Sequence, residues 1–121
     1  MAVSLVPGGA GFSGSHTVVE LCRAGHTPVI FDNFSNSSPA VLASLEKLCG
    51  RRLPFISGDL RFREQVEAAF DAYPIEAVIN FAGLKSVGES VSKPLAYYDH
   101  NVGGSRVLLE VMCRRGCRTF V

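Results

Sequence analysis

Four glycines crowd the first turn of the chain, at Gly8, Gly9, Gly11 and Gly14. They satisfy both G-x-G-x-x-G and G-x-x-G-x-x-G spacing. Val3 to Val6 before them reads as a buried strand, and Phe12 to Ala24 after them as a helix closed by Gly25. In that context each glycine has a physical use: a tight turn, a backbone close to a diphosphate, and a helix packed hard on its strand. The amino end of the helix adds free N–H groups and the positive end of a dipole. Asp32 follows the second apolar run, 18 residues past Gly14. A carboxylate there accepts hydrogen bonds from adenosine ribose hydroxyls and repels a 2′-phosphate, which favours NAD over NADP. Asp59 ends a third strand in the same manner, although Gly-Asp is also a common turn pair.

Two residues depart from the pattern. Pro7 removes an N–H at the mouth of the turn. Ser13 puts a hydroxyl at a position expected to touch the sheet.

The elements that must hold these residues alternate. Strands are expected at Val3 to Val6, Pro28 to Phe31, Leu53 to Ser57, Ala77 to Phe81 and from Arg118 onward. A polar loop runs from Asn33 to Pro39. Helices follow from the spacing of Val41, Leu42, Leu45, Leu48 and Cys49, and of Val66, Ala69, Phe70 and Tyr73. Pro94 opens a long last helix whose apolar row is Leu95, Tyr98, Val102, Ser105, Leu109 and Met112, and Gly116 closes it. The tyrosines Tyr97 and Tyr98 read as helix packing. Strand–helix alternation with short connections predicts an α/β fold: a Rossmann-type doubly wound parallel sheet with the first five strands and their alternating helices. The whole of 1–121 reads as a single dinucleotide-binding domain.

Bulk properties exclude several classes. Apolar residues make up 47% of the 121, enough for a core, and the net charge is +1, so nothing draws the chain toward nucleic acid or an anionic membrane. Cys22, Cys49 and Cys113 fall on apolar helix positions and no Cys-x-x-Cys occurs, so buried free thiols are expected rather than a metal site. The Arg51-Arg52 and Arg114-Arg115 pairs read as favourable charge near helix carboxyl ends. With no signal peptide and no apolar stretch long enough for a bilayer, a cytoplasmic protein is expected.

The segment NFAGLKSVGESVSKPLAYYD, Asn80 to Asp99, resembles the matching stretch of the UDP-glucose 4-epimerases, members of the extended short-chain dehydrogenase/reductase superfamily. The turn Gly8 to Thr17, the loop Asp32 to Ser37 and Gly58-Asp59-Leu60-Arg61 resemble further parts of that family, so the likeness covers nearly the whole chain. The resemblance implies NAD as cofactor. It puts Phe12 and Ser13, with Gly8, Gly11 and Gly14, at the pyrophosphate. Asp32, Asn33, Phe34, Ser35, Asn36 and Ser37 would surround the adenosine ribose, and Asp59 and Leu60 the adenine. Phe81, Ala82, Gly83 and Lys85 would line the path toward the nicotinamide. The asparagine pair of the family is here His100-Asn101, and Asn101 takes the cofactor-side role.

The family's reaction, as the resemblance implies it, interconverts UDP-galactose and UDP-glucose through a 4-keto sugar, with a UDP-sugar as partner of the complete enzyme and a homodimer as its candidate assembly. Its base comes from Tyr-x-x-x-Lys. Here Tyr73, Tyr97 and Tyr98 are followed four residues on by Ala77, Asn101 and Val102. The chain is therefore expected to be an amino-terminal fragment that binds the cofactor, with no catalytic residue of its own and without the substrate domain. The alternative is a non-catalytic dinucleotide-binding module or degenerate relative. The Gly83-Leu84-Lys85 run argues against a 4,6-dehydratase.

Overall fold

A computed structural model describes residues 2–33, 40–82 and 91–121. Five strands form one sheet: β1 (Val3–Pro7), β2 (Thr27–Asp32), β3 (Phe55–Ser57), β4 (Ala77–Val78) and β5 (Thr119–Phe120). Their order is β3-β2-β1-β4-β5 and every pairing is parallel. The helices are α1 (Phe12–Arg23), α2 (Ala40–Cys49), α3 (Arg63–Ala72), α4 (Pro94–Tyr98) and α5 (Gly104–Arg115), with a π-helical turn at Asp99–Gly103 joining the last two. The chain winds outward through β2 and β3, then returns to the other side of β1 for β4. The strand order thus reverses between β1 and β4, and open α/β sheets bind ligands at the carboxyl ends of the strands at such a point.

Side-chain alternation along the buried strands supplies two cores. Leu5, Val29, Phe31 and Val78 face one way and pack with Leu60, Val66, Ala69, Leu108, Val111 and Met112 under α3 and α5. Val6 and Ile30 face the other way and pack with Val18, Leu45 and Leu53 under α1 and α2. A parallel sheet covered on both faces needs such continuous apolar strands.

Prolines shorten two strands relative to the expectation. The Ile79 and Phe81 N–H groups still donate to the Leu5 and Pro7 carbonyls, at 3.0 and 2.8 Å. The next rung would need an N–H from residue 7 to the Ile79 carbonyl, and a proline has none. β4 therefore ends at Val78 instead of Phe81. Likewise Pro54 accepts from the Ile30 N–H at 2.9 Å but cannot donate, so β3 begins at Phe55 instead of Leu53.

The last helix also differs. Its π turn closes with the Gly104 N–H donating to the Asp99 carbonyl five residues back. That turn shifts the phase of everything after it. The buried row is Gly104, Leu108, Val111 and Met112, while Leu95, Tyr98, Val102 and Leu109 are exposed. Only Met112 of the expected apolar row reaches the core. Tyr98 is 66% exposed rather than packed. Cys113 is exposed and Cys22 and Cys49 are half-buried, so none of the three is the fully buried thiol expected. The arginine pair at the end of α5 does sit in its last turn, where Arg114 and Arg115 bridge to Glu67 and Arg115 also to Asp71.

Candidate cofactor site

The glycine turn is fixed by hydrogen bonds of its own and by others to the end of β2. Gly8 donates to the Phe31 carbonyl at 2.8 Å, Gly9 to Val6 at 3.0 Å and Gly11 to Gly8 at 3.0 Å. The Ala10 N–H donates to Oδ2 of Asp32 at 3.1 Å. The first bond of α1 runs from the Ser15 N–H to the Gly11 carbonyl at 2.8 Å. The amides of Phe12, Ser13 and Gly14 precede that bond, and a helix's first N–H groups lack intrahelical acceptors. These three are the ones the turn offers to an anion.

Close approach dictates the glycines. Gly8 has φ of +75° and a Cβ there would lie 2.5 Å from the carbonyl carbon of Phe81. A Cβ on Gly14 would lie 2.3 Å from the Gly8 carbonyl oxygen. The ends of β1 and β4 and the start of α1 are thereby held within backbone contact of one another. Pro7 does not obstruct the turn. It is fully buried beneath it, and its carbonyl accepts from Phe81. Ser13 is exposed on α1, not turned toward the sheet as its position had suggested; Gly14 and Val18 are the fully buried residues of α1. Phe12 is also exposed, its ring edge-on to His16.

Asp32 ends β2 with only 7% of its surface exposed. Its carboxylate both braces the turn through Ala10 and stands at the carboxyl edge beside β1. Asn33, the next residue, donates through Nδ2 to Oδ2 of Asp59 at 3.0 Å. Asp59 is a hub. The Arg61 main-chain N–H donates to its Oδ1 at 2.9 Å, Arg61 Nε to Oδ1 at 3.0 Å and Arg61 Nη2 to its Oδ2 at 2.7 Å. Burial opposes ionisation of Asp59, but the hydrogen bonds from Arg61, reinforced by Asn33, outweigh it and hold the carboxyl well below the usual carboxylate range. The Arg61 guanidinium is pushed up by its hydrogen bonds to Asp59 and then Asp99.

The structure brings Gly8, Gly11, Phe12, Ser13, Gly14, Asp32, Asn33, Phe81 and Ala82 to the ends of β1, β2 and β4, with Asp59 one strand further out, after β3. The Leu60 side chain turns into the core against Gly104. Asn101 lies exposed on the π turn. Phe34, Ser35, Asn36, Ser37, Gly83 and Lys85 lie outside the described residues. Sequence reasoning missed Arg61 and Asp99. The Asp59-x-Arg61 spacing after a strand end could have suggested the first; nothing local could have suggested the second, 38 residues away.

This fold is a doubly wound parallel α/β sheet of the Rossmann class. The profile of the NAD dependent epimerase/dehydratase family matches residues 4–121. A UDP-glucose 4-epimerase of Neisseria meningitidis serogroup B is 52% identical over 117 residues, covering 97% of this chain and 34% of that protein. Among solved structures, the UDP-glucose 4-epimerase of Stenotrophomonas maltophila with bound NAD and formylated UDP-arabinopyranose superposes with a TM-score of 0.96 at 41% identity, over 99% of this chain and 36% of that one. The enzyme of Bifidobacterium longum in complex with NAD+ and UDP gives 0.95 at 42% identity, over 98% and 35%. The chain belongs to the NAD dependent epimerase/dehydratase family. It spans about a third of the length of these UDP-glucose 4-epimerases.

Proposed function

We propose that this chain is the NAD-holding part of a UDP-glucose 4-epimerase. The observation that carries the reading is the buried Asp32 carboxylate bonded to the Ala10 amide. It ties the second strand's terminal acid to the glycine turn, so ribose-binding and diphosphate-binding groups form one rigid unit. Bare glycine backbone at positions 8 and 14, three unshared first-turn amides and a carboxylate at the second strand fit an adenine dinucleotide with an unphosphorylated ribose.

In this reading Phe12, Ser13 and Gly14 bind the diphosphate through their amides, with Gly8 and Gly11 admitting it to the backbone. Asp32, Asn33 and the loop residues Phe34, Ser35, Asn36 and Ser37 hold the ribose. Asp59 flanks the adenine with the main chain of Leu60, whose side chain is buried, and Phe81, Ala82, Gly83, Lys85 and Asn101 line the nicotinamide side. NAD held by these residues would supply hydride-transfer chemistry at carbon 4 of the UDP-sugar. This chain's residues position and desolvate the cofactor. Without Tyr-x-x-x-Lys they supply no base, so the chain alone binds without turning over. The four free cysteines support a reducing compartment, the cytosol. The exposed apolar row Leu95, Tyr98, Val102 and Leu109 supports a homodimer of the complete enzyme.

Calorimetric titration with NAD and NADP, alongside a UDP-galactose turnover assay, tests the reading. Saturable NAD binding that is tighter than NADP binding, with no turnover, is expected. NADP binding as tight as NAD, or no NAD binding, would overturn it.

A further inference from the structure

The Arg61 side chain holds two acids that belong to different parts of the fold. Nε and Nη2 grip Asp59 at the end of β3, and Nη1 donates to Oδ2 of Asp99 at 2.8 Å. Asp99 is the first residue of the π turn, and its carbonyl takes the Gly104 N–H that closes that turn. Directly beneath, Gly104 abuts Leu60, where an added Cβ would lie 3.2 Å from the Leu60 Cβ. The loop after β3 and the π turn are therefore joined by a packing contact below and an ion pair above. Arg61 is only partly exposed, whereas Asp99 is 61% exposed. Both Asp59 oxygens already carry donors from Arg61 and Asn33, so this carboxylate acts on its surroundings by fixing Asn33 and the local main chain.

We infer that Arg61 is a positioning residue that couples the two halves of the dinucleotide site, holding the adenine wall (Asn33, Asp59) and the π turn that carries Asn101 at a fixed separation. The inference rests on the cofactor placement proposed above. A planar guanidinium suits the task because it offers donors along two edges at once. A lysine, a single point charge, would grip only one acid at a time.

The two contacts predict different ligand effects, which separates coupling from plain stabilisation. AMP reports the adenine half and NAD both halves. In Asp99→Ala the grip on Asp59 survives, so AMP should bind within twofold of the unaltered chain while NAD weakens at least fivefold. Its thermal midpoint should stay within about 2 °C, because an exposed ion pair contributes little to stability. Arg61→Ala should weaken both ligands tenfold or more, and Arg61→Lys should restore AMP binding better than NAD binding. The inference is overturned if Asp99→Ala binds NAD within twofold, or loses AMP and NAD in parallel, or if Arg61→Ala lowers the midpoint without changing either affinity. Failure of the unaltered chain to bind NAD would instead remove the cofactor placement itself, and this coupling with it.

Discussion

Gly14→Ala is the sharpest perturbation the glycine turn allows. The new methyl would lie 2.3 Å from the Gly8 carbonyl oxygen, 2.9 Å from the Gly9 Cα and 3.0 Å from the Gly8 carbonyl carbon. All three are backbone atoms of a turn fixed by its own hydrogen bonds, so none can swing aside. Restoring ordinary contact requires α1 to retreat by about 1 Å from the turn. Such overpacking costs about 1–3 kcal/mol. Alanine's better helix propensity returns about 1 kcal/mol. A net loss of about 0–2 kcal/mol should lower the thermal midpoint by up to about 10 °C. The larger effect falls on the ligand. A 1 Å shift takes the Phe12–Gly14 amides out of hydrogen-bond range of a diphosphate, and each charge-assisted bond is worth about 1.5–3 kcal/mol. Losing the equivalent of one to two bonds weakens NAD about 100-fold. Gly25→Ala is the control. Gly25 has φ of +85° with nothing within 4 Å of an added Cβ, so it brings backbone strain without a clash. It should cost stability and leave NAD affinity unchanged. Thermal melts and calorimetric titration of the three proteins decide the matter. NAD binding by Gly14→Ala within threefold of the unaltered chain, at an unshifted midpoint, would refute the argument.

Other consequences are independent of that clash. Asp32→Ala strands the buried Ala10 N–H and should cost about 1–3 kcal/mol in urea unfolding, whereas Asp32→Asn keeps an acceptor and much of the stability. Asp32→Asn should also narrow the preference for NAD over NADP, since the repelling charge is gone; an unchanged ratio in paired titrations would reject that role. Asp59 is held below the usual carboxylate range when folded, so its contribution is complete above the unfolded aspartate value, near 4, and is lost as pH falls toward the folded one. The stability gap between the unaltered chain and Asp59→Asn should thus be constant from pH 8 to about 5 and shrink below about 4. Urea midpoints showing a gap that widens on acidification would contradict this. Burial, with the neighbouring Cys22 thiol, pushes Cys49 up to about 11. At pH 8 only roughly a thousandth of it is thiolate. Iodoacetamide followed by peptide mass spectrometry should label exposed Cys113 first and Cys49 last.

The glycine turn and Asp32 were legible because their chemistry is local: the spacing of four glycines, a strand before, a helix after, and an acid one strand later. The strand alternation was legible for the same reason, since buried parallel strands leave short apolar runs that a linear reading detects. Pro7 and Pro54 could be seen to lack N–H groups, but where the missing rungs would fall depends on register against β4 and β2, which is a tertiary fact. The last helix failed for a different reason. A 3.6-residue period assumes one continuous α-helix, and the π turn at Asp99–Gly103 breaks the phase, so the row from Leu95 to Leu109 faces outward and the row from Gly104 to Met112 faces in. Ser13 was misplaced by the same kind of inference, from position in a motif rather than from the turn's geometry. The Arg61–Asp99 pair bridges segments with no shared pattern, and only the folded chain brings them together.

Amide resonances of the chain, followed by NMR as NAD is added, test the central claim most directly. Phe12, Ser13 and Gly14 should show the largest downfield shifts, as their N–H groups meet the diphosphate, while Gly9 and Gly11, already bonded locally, and Ala10, bonded to Asp32, should move little. Large shifts confined to residues away from the start of α1, with those three amides unmoved at saturation, would contradict the account.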